Sequence, residues 1–222
     1  MTDIDPSKFY RLFGNLPALP GDLERLCLEQ IASDDNLTRF IDPVTFITQI
    51  MDTHYGEITD SADQPVPCAD YRRFNAPQPV IDWVNQHIHP KMGVSDFEIG
   101  VQVFRHRHPG QRAVYAPHVD GPRGAWAINY ILEPGGDSVT TRWYQEGNYP
   151  IIRHMAHHRG LNLRSFRGLT EIHQVQCPVR VWHGLETRAL HTVCDLESDR
   201  ISLSMGASLE VISDLLAGQI PS

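Results

Sequence analysis

No stretch of this 222-residue chain approaches the apolar length of a membrane helix. Met1–Pro20 mixes Asp, Lys, Arg and Pro and lacks the apolar segment of a secretory signal. Cysteine is scarce: Cys27, Cys68, Cys177 and Cys194 form no CxxC pair and keep no regular spacing, which argues against a zinc knuckle or a disulfide framework. A reducing cytoplasm is the expected compartment. Positive charge is in deficit, 19 Lys and Arg against 27 Asp and Glu for a net charge of -8, so a phosphate backbone would be repelled unless a basic patch were segregated. The basic clusters Arg105–Arg112 and Arg153–Arg167 are short and interrupted by histidine. Neither nucleic acid nor a membrane is an expected partner, and the sequence does not fix the oligomeric state. There is no internal repeat and no low-complexity tract. What is present is an ordinary globular balance, 41% hydrophobic and 21% charged, with 12 histidines, a high count that directs attention to metal-ligand spacing.

One domain over residues 1–222 is expected, in three parts: a helical segment 1–96, a strand-rich core 97–207 and a closing helix within 208–222. Gly21–Ala32 sets Leu23, Leu26, Cys27 and Ile31 on one helical stripe, Pro43–Met51 repeats the pattern more weakly, and Pro79–His87 places Val80, Val84 and His87 on one face with Ile81 and Ile88 beside them. Thr59–Pro79 reads as an ordered loop. From Phe97 the texture becomes short alternating segments broken by Gly, Pro and Asp. Strands are expected at 97–105, 113–119, 126–132, 138–144, 171–176, 179–182, 190–194 and 200–207, and Gln145–Thr170 reads as an insertion covering a site. Eight short strands after a helical part give an α+β class: a double-sheet jelly roll with helices on one outer face.

His118 and Asp120 flank Val119 at the end of an apolar strand, and the period of two aims the imidazole and the carboxylate to the same side. Two histidines and one carboxylate on one octahedral face are the signature of iron(II) oxygenases with open positions, so a third ligand is needed. His191 stands 71 residues beyond Asp120 and 9 before Arg200. Arg200, Ser202 and Ser204 share one strand face while Ile201, Leu203 and Met205 share the other. A guanidinium turned into a barrel interior requires an anion, and a dicarboxylate chelating the metal at one end and meeting the arginine fork at the other supplies it.

The order HxD, distant H, then RxS, here His118, Asp120, His191, Arg200 and Ser202, resembles the iron(II)/2-oxoglutarate-dependent dioxygenases over Phe97–Ala207. The resemblance implies a double-stranded β-helix core of the jelly-roll or cupin-like kind, iron(II) as cofactor, and 2-oxoglutarate and dioxygen as cosubstrates. It further implies a hydroxylation coupled to release of succinate and carbon dioxide. Asp120 separates the chain from the halogenating branch, which has a small residue there, and from the β-hydroxylases that lack the carboxylate. Gly206 stands where the nucleic-acid repair branch carries a second arginine, and prolyl hydroxylases usually present lysine where Arg200 stands. A small molecule, a free amino acid or a peptide is left as substrate.

Asn129, Gln102 and Tyr115 are expected to hydrogen-bond the cosubstrate, and Arg105, Arg123 and Trp143 to contact the substrate. His183 competes as third ligand with a spacing that fits less well, leaving it a rim or supporting position. His154, His157 and His158 read as a solvated face. Two readings from other classes stand beside the oxygenase: a cupin-like metal-binding protein, and a metal-dependent dioxygenase that uses no 2-oxoglutarate. Arg200 with Ser202 speaks against both, because neither needs a dicarboxylate anchor.

Overall fold

The computed structural model describes residues 5–33, 58–92, 99–120, 126–145 and 161–207. Two antiparallel sheets carry the architecture. The first runs β1 (Tyr10–Leu12), β11 (Trp182–Glu186), β7 (Trp126–Pro134), β13 (Arg200–Ala207), β5 (Gly100–Arg105), β4 (Asp70–Asn75). The second runs β10 (Glu171–Val175), β8 (Thr140–Tyr144), β12 (His191–Cys194), β6 (His118–Val119), β9 (Leu161–Asn162), and a small hairpin pairs β2 (Ile58–Thr59) with β3 (Pro65–Val66). Among the described residues no helix is long and apolar enough to cross a membrane.

Period-two alternation divides the six-stranded sheet into two faces. Val101, Val103, Ile128, Tyr130, Leu132, Leu203 and Met205 bury into one core with Leu23, Cys27 and Ile31 of α1 (Gly21–Ser33) and Val80 and Val84 of α2 (Gln78–His87). The helices therefore cover one face of this sheet. Helix α1 forms because Leu23, Cys27 and Ile31 recur every fourth residue, and Asp22 and Glu24 complement the dipole of its first turn. Glu24 itself is buried, accepts from the Tyr130 hydroxyl at 2.8 Å and pairs with Arg180 Nε at 2.8 Å, fastening the helix to the sheet through a satisfied polar contact. Helix α2 opens on Pro77 and Pro79, where a missing N–H costs nothing, and is followed by α3 (His89–Met92).

The other face turns toward the five-stranded sheet. Phe104 packs with Tyr115 and Val193, and Ile131 and Leu185 pack with Trp143, so apolar side chains from both sheets close the two flanks of an interior that also holds polar groups.

Several expectations change. Thr59–Pro79 is no loop: it contains the β2–β3 hairpin and all of β4, which pairs with β5 from Asp70↔Arg105 to Asn75↔Gly100. Residues 1–96 are likewise not a helical appendage, since β1 and β4 form the two edges of the six-stranded sheet. Leu26 is exposed, and at the end of α2 it is Ile88 that enters the core while His87 stays outside, its ring 5.0 Å from Trp83. The expected strand 113–119 reduces to isolated bridges at Ala113 and Val114 followed by the two residues of β6. The helix expected at 43–51 and the closing helix after residue 207 lie outside the described residues.

Candidate metal centre and anion seat

The short strands β6 and β12 pair so that His118 and His191 stand directly opposite each other, their ring centroids 4.1 Å apart. Asp120 follows His118 across the strand end, its backbone N–H donating to Thr187 O at 2.9 Å, and its Oδ1 lies 3.5 Å from His118 Nε2. One ligand atom from each of His118, Asp120 and His191 falls within 4.8 Å of the others, so a single ion could bridge all three. Both imidazoles are oriented for it. His118 Nδ1 bonds Ala116 O at 2.9 Å and His191 Nδ1 bonds Ala189 O at 3.0 Å. A ring N–H donated to a carbonyl fixes the tautomer that leaves Nε2 as the lone-pair nitrogen. Burial, and then the neighbouring His191, push His118 down to about 4, against the opposing pull of Asp120, so this ligand is neutral at physiological pH. The side chain of Asp120 is 48% exposed against 12% for His118, which makes the carboxylate side the open side of the cluster.

Across the interior, β13 places Arg200, Ser202 and Ser204 beneath the second sheet, and all three are buried. Ser202 is registered with Gln102 and Ser204 with Asn129, so these four side chains share one face. Arg200 is 4% exposed, and among the described residues no carboxylate pairs with it. Gly135, at φ +84°, lets the turn after β7 pass so close that an added Cβ would come 2.9 Å from Arg200 Cβ. Asn129 Oδ1 is buried without a hydrogen-bond partner. Tyr115, also buried, sets its ring edge-on to His118 at 4.8 Å.

Tyr71, on β4, is a further residue of the site, and the loop-like composition of its segment hides it in the sequence. Burial raises it to about 12, with Asp120 adding to the rise and a hydrogen bond from Gln102 opposing it, so it belongs to the wall between the cluster and Gln102. The expected substrate contacts fare differently. Arg105 has the strand parity of Val101 and Val103, away from the interior, and its guanidinium is held by Asp199 at 3.1 Å. Trp143 is fully buried, donates to Glu186 O at 2.9 Å and stacks 6.5 Å from His191, so it backs a ligand and has no surface for a substrate. Arg123 lies outside the described residues, as do His154, His157, His158 and most of 145–170. The described end of that segment is β9, which joins the ligand strand through His118↔Asn162. His183 is fully buried on β11 and does not belong to the three-ligand group.

No protein-family profile and no curated protein sequence matches the chain. Among solved structures it is similar to a prolyl-4-hydroxylase from Pseudomonas putida, at 15% identity and TM-score 0.39 over 88% of this chain and 89% of that one. It is also similar to a prolyl hydroxylase from Trichoplax adhaerens in complex with a hypoxia inducible factor oxygen degradation domain peptide fragment, at 12% identity and TM-score 0.40 over 90% and 83%. Likeness at this level decides neither family nor activity.

Proposed function

We propose that this protein is an iron(II)- and 2-oxoglutarate-dependent oxygenase on a jelly-roll core that hydroxylates a small molecule, a free amino acid or a peptide. The observation that carries the reading is the buried guanidinium of Arg200, without a carboxylate partner among the described residues, in the same interior as a two-histidine, one-carboxylate cluster. A charge so placed is costly without an anionic partner, and among the described residues no carboxylate meets it. The donor set suits a hard-to-intermediate divalent ion with ligand positions to spare, since three protein ligands leave an octahedral ion half open.

His118, Asp120 and His191 would hold the iron through Nε2, a carboxylate oxygen and Nε2. Arg200 and Ser202 would take the far carboxylate of 2-oxoglutarate, with Asn129, Gln102 and Tyr115 offering further polar contacts on the way. Bound iron with this cosubstrate supplies the oxidising chemistry, in which dioxygen is consumed, 2-oxoglutarate leaves as succinate and carbon dioxide, and a C–H bond is hydroxylated. The chain orients both imidazoles through their carbonyl partners, burial keeps His118 neutral, and Phe104, Ile131 and Trp143 wall the anion seat with apolar surface. It leaves the Asp120 side open for a substrate to approach.

The test is succinate formation under iron(II), 2-oxoglutarate and oxygen, screened with free amino acids and peptides, prolyl peptides among them. Substrate-stimulated turnover that disappears in His191→Ala supports the reading. A protein that binds metal at the cluster but never consumes 2-oxoglutarate is instead a cupin-like metal protein or a dioxygenase of another kind.

A further inference from the structure

Arg200 also lines a cavity of about 130 Å³ that none of the three cluster residues borders. Its walls are Ile131, Val139, Val179, Cys177 and Arg200, and the exposed Asp137 and Gln176 frame its mouth, joined by a hydrogen bond from Gln176 Nε2 to Asp137 O at 2.5 Å. The seat of Arg200 therefore has its own way to solvent, and a thiol stands in it. Four groups from four strands surround that thiol. Thr141 of β8 has its hydroxyl 3.8 Å from Cys177 Sγ, His183 of β11 and Arg200 of β13 act on its charge, and Tyr10 of β1, whose ring lies 5.9 Å from His183, feels that charge in turn. His183 is fully buried, fixes its Nδ1 on Val181 O at 2.9 Å and leaves Nε2 buried without a hydrogen-bond partner. Arg180, at φ +58°, turns the chain between Cys177 and His183 and brings the two together.

We propose that Cys177 is a peroxide- and electrophile-reactive thiol whose modification closes the anion seat at Arg200. A thiolate there gains a hydroxyl donor, an imidazole and a guanidinium, a combination that activates sulfur for nucleophilic attack. Burial alone would raise the thiol, but His183, then Arg200 and Thr141, bring it to about 7. Burial instead drives Cys27, Cys68 and Cys194 up to about 12. With hydrogen peroxide as oxidant, the thiolate attacks one peroxide oxygen. The S–O bond forms as the O–O bond breaks, sulfur loses two electrons to the peroxide, and the hydroxide that leaves takes up a proton to become water. The product is a sulfenic acid or sulfenate, which adds bulk and a competing acceptor beside the guanidinium a carboxylate would need.

The thiol chemistry stands on its own, whereas the consequence for cosubstrate rests on the function proposed above. The metal-free full chain is treated with iodoacetamide from pH 5.5 to 9.5, and labelling at each cysteine is followed by peptide mass spectrometry. Cys177 should label first, with an inflexion near pH 7, while the other three stay unlabelled in the folded protein. His183→Gln should move the inflexion up by about a unit or more. A folded protein in which Cys177 does not label, or labels with no inflexion below pH 9, overturns the proposal, as does an unchanged profile in His183→Gln. Peroxide followed by a sulfenate-specific dione should tag Cys177, and 2-oxoglutarate affinity of the iron-loaded chain should then fall at least about tenfold. Cys177→Ser, whatever its starting affinity, should lose none on peroxide treatment. Equal affinity in the oxidised and reduced parent overturns the closure of the seat. Failure of the reduced parent to bind 2-oxoglutarate removes the functional reading instead, and the labelling profile still decides the thiol.

Discussion

Replacing Arg200 by methionine should move stability and binding in opposite directions. The guanidinium is 4% exposed, has no carboxylate partner among the described residues and borders a cavity of about 130 Å³ that has room for water. Exchanging a buried ion for an apolar side chain of similar length is neutral to stabilising by roughly 1–4 kcal/mol, and hydration through the cavity keeps the gain here toward the low end, about 1–2 kcal/mol. For a chain of this size that raises Tm by roughly 2–8 °C. The same change removes both charge-assisted bonds of a bidentate carboxylate contact, roughly 1.5–3 kcal/mol each, so 2-oxoglutarate affinity should fall on the order of a hundred- to ten-thousandfold while iron affinity holds. Differential scanning calorimetry of the metal-free protein and anaerobic cosubstrate titration of the iron-loaded protein read the two effects. A variant that melts well below the parent would mean that the guanidinium already has a stabilising partner and needs no external anion.

Asp120→Ala should leave Tm nearly unchanged, because the carboxylate is half exposed, yet weaken iron(II) binding at least about a hundredfold by isothermal titration. His118 sets an acid limit on the metal-free protein: its folded pKa of about 4 lies below the ordinary 6.5, so between those values the unfolded chain takes up a proton that the folded chain refuses. Stability should therefore decline as pH falls through that window, by at most about 3 kcal/mol from this group, and urea midpoints should show a smaller decline in His118→Gln. Gly135→Ala puts a methyl into the left-handed turn against Arg200 and Leu196, and should cost roughly 1–3 kcal/mol of stability and weaken 2-oxoglutarate binding more than iron binding.

The cluster was legible because two signals coincided: period two makes a same-side pair of His118 and Asp120, and His191 stands before the Arg200–Ser202 pair at the spacing of the family the motif resembles, a short interval that carries the chain from β12 in one sheet to β13 in the other. Even so, β6 is only two residues long. Strand β4 was hidden because Asp-Tyr-Arg-Arg-Phe-Asn lacks β-branched residues and ends the sheet as a charged edge, the composition that protects edges from pairing. Tyr71 was lost with it. Leu26 misled because a helix facing one sheet buries a narrow stripe, and Cys27 rather than Leu26 lies at its centre. Arg105 misled by parity, sharing the helix-covered side with Val103. The juxtaposition of Cys177 and His183 depends on a left-handed residue at Arg180, a non-glycine position that no turn signature marks.

The proposed activity requires that iron and 2-oxoglutarate meet at this cluster. Anaerobic titration of the full chain with iron(II) and then 2-oxoglutarate measures it directly. The expected result is one iron per chain and an iron-to-ketoacid charge-transfer absorption that requires both components, is lost in His191→Ala and needs far more cosubstrate in Arg200→Met. Tight metal binding with no such absorption at any 2-oxoglutarate concentration would contradict it.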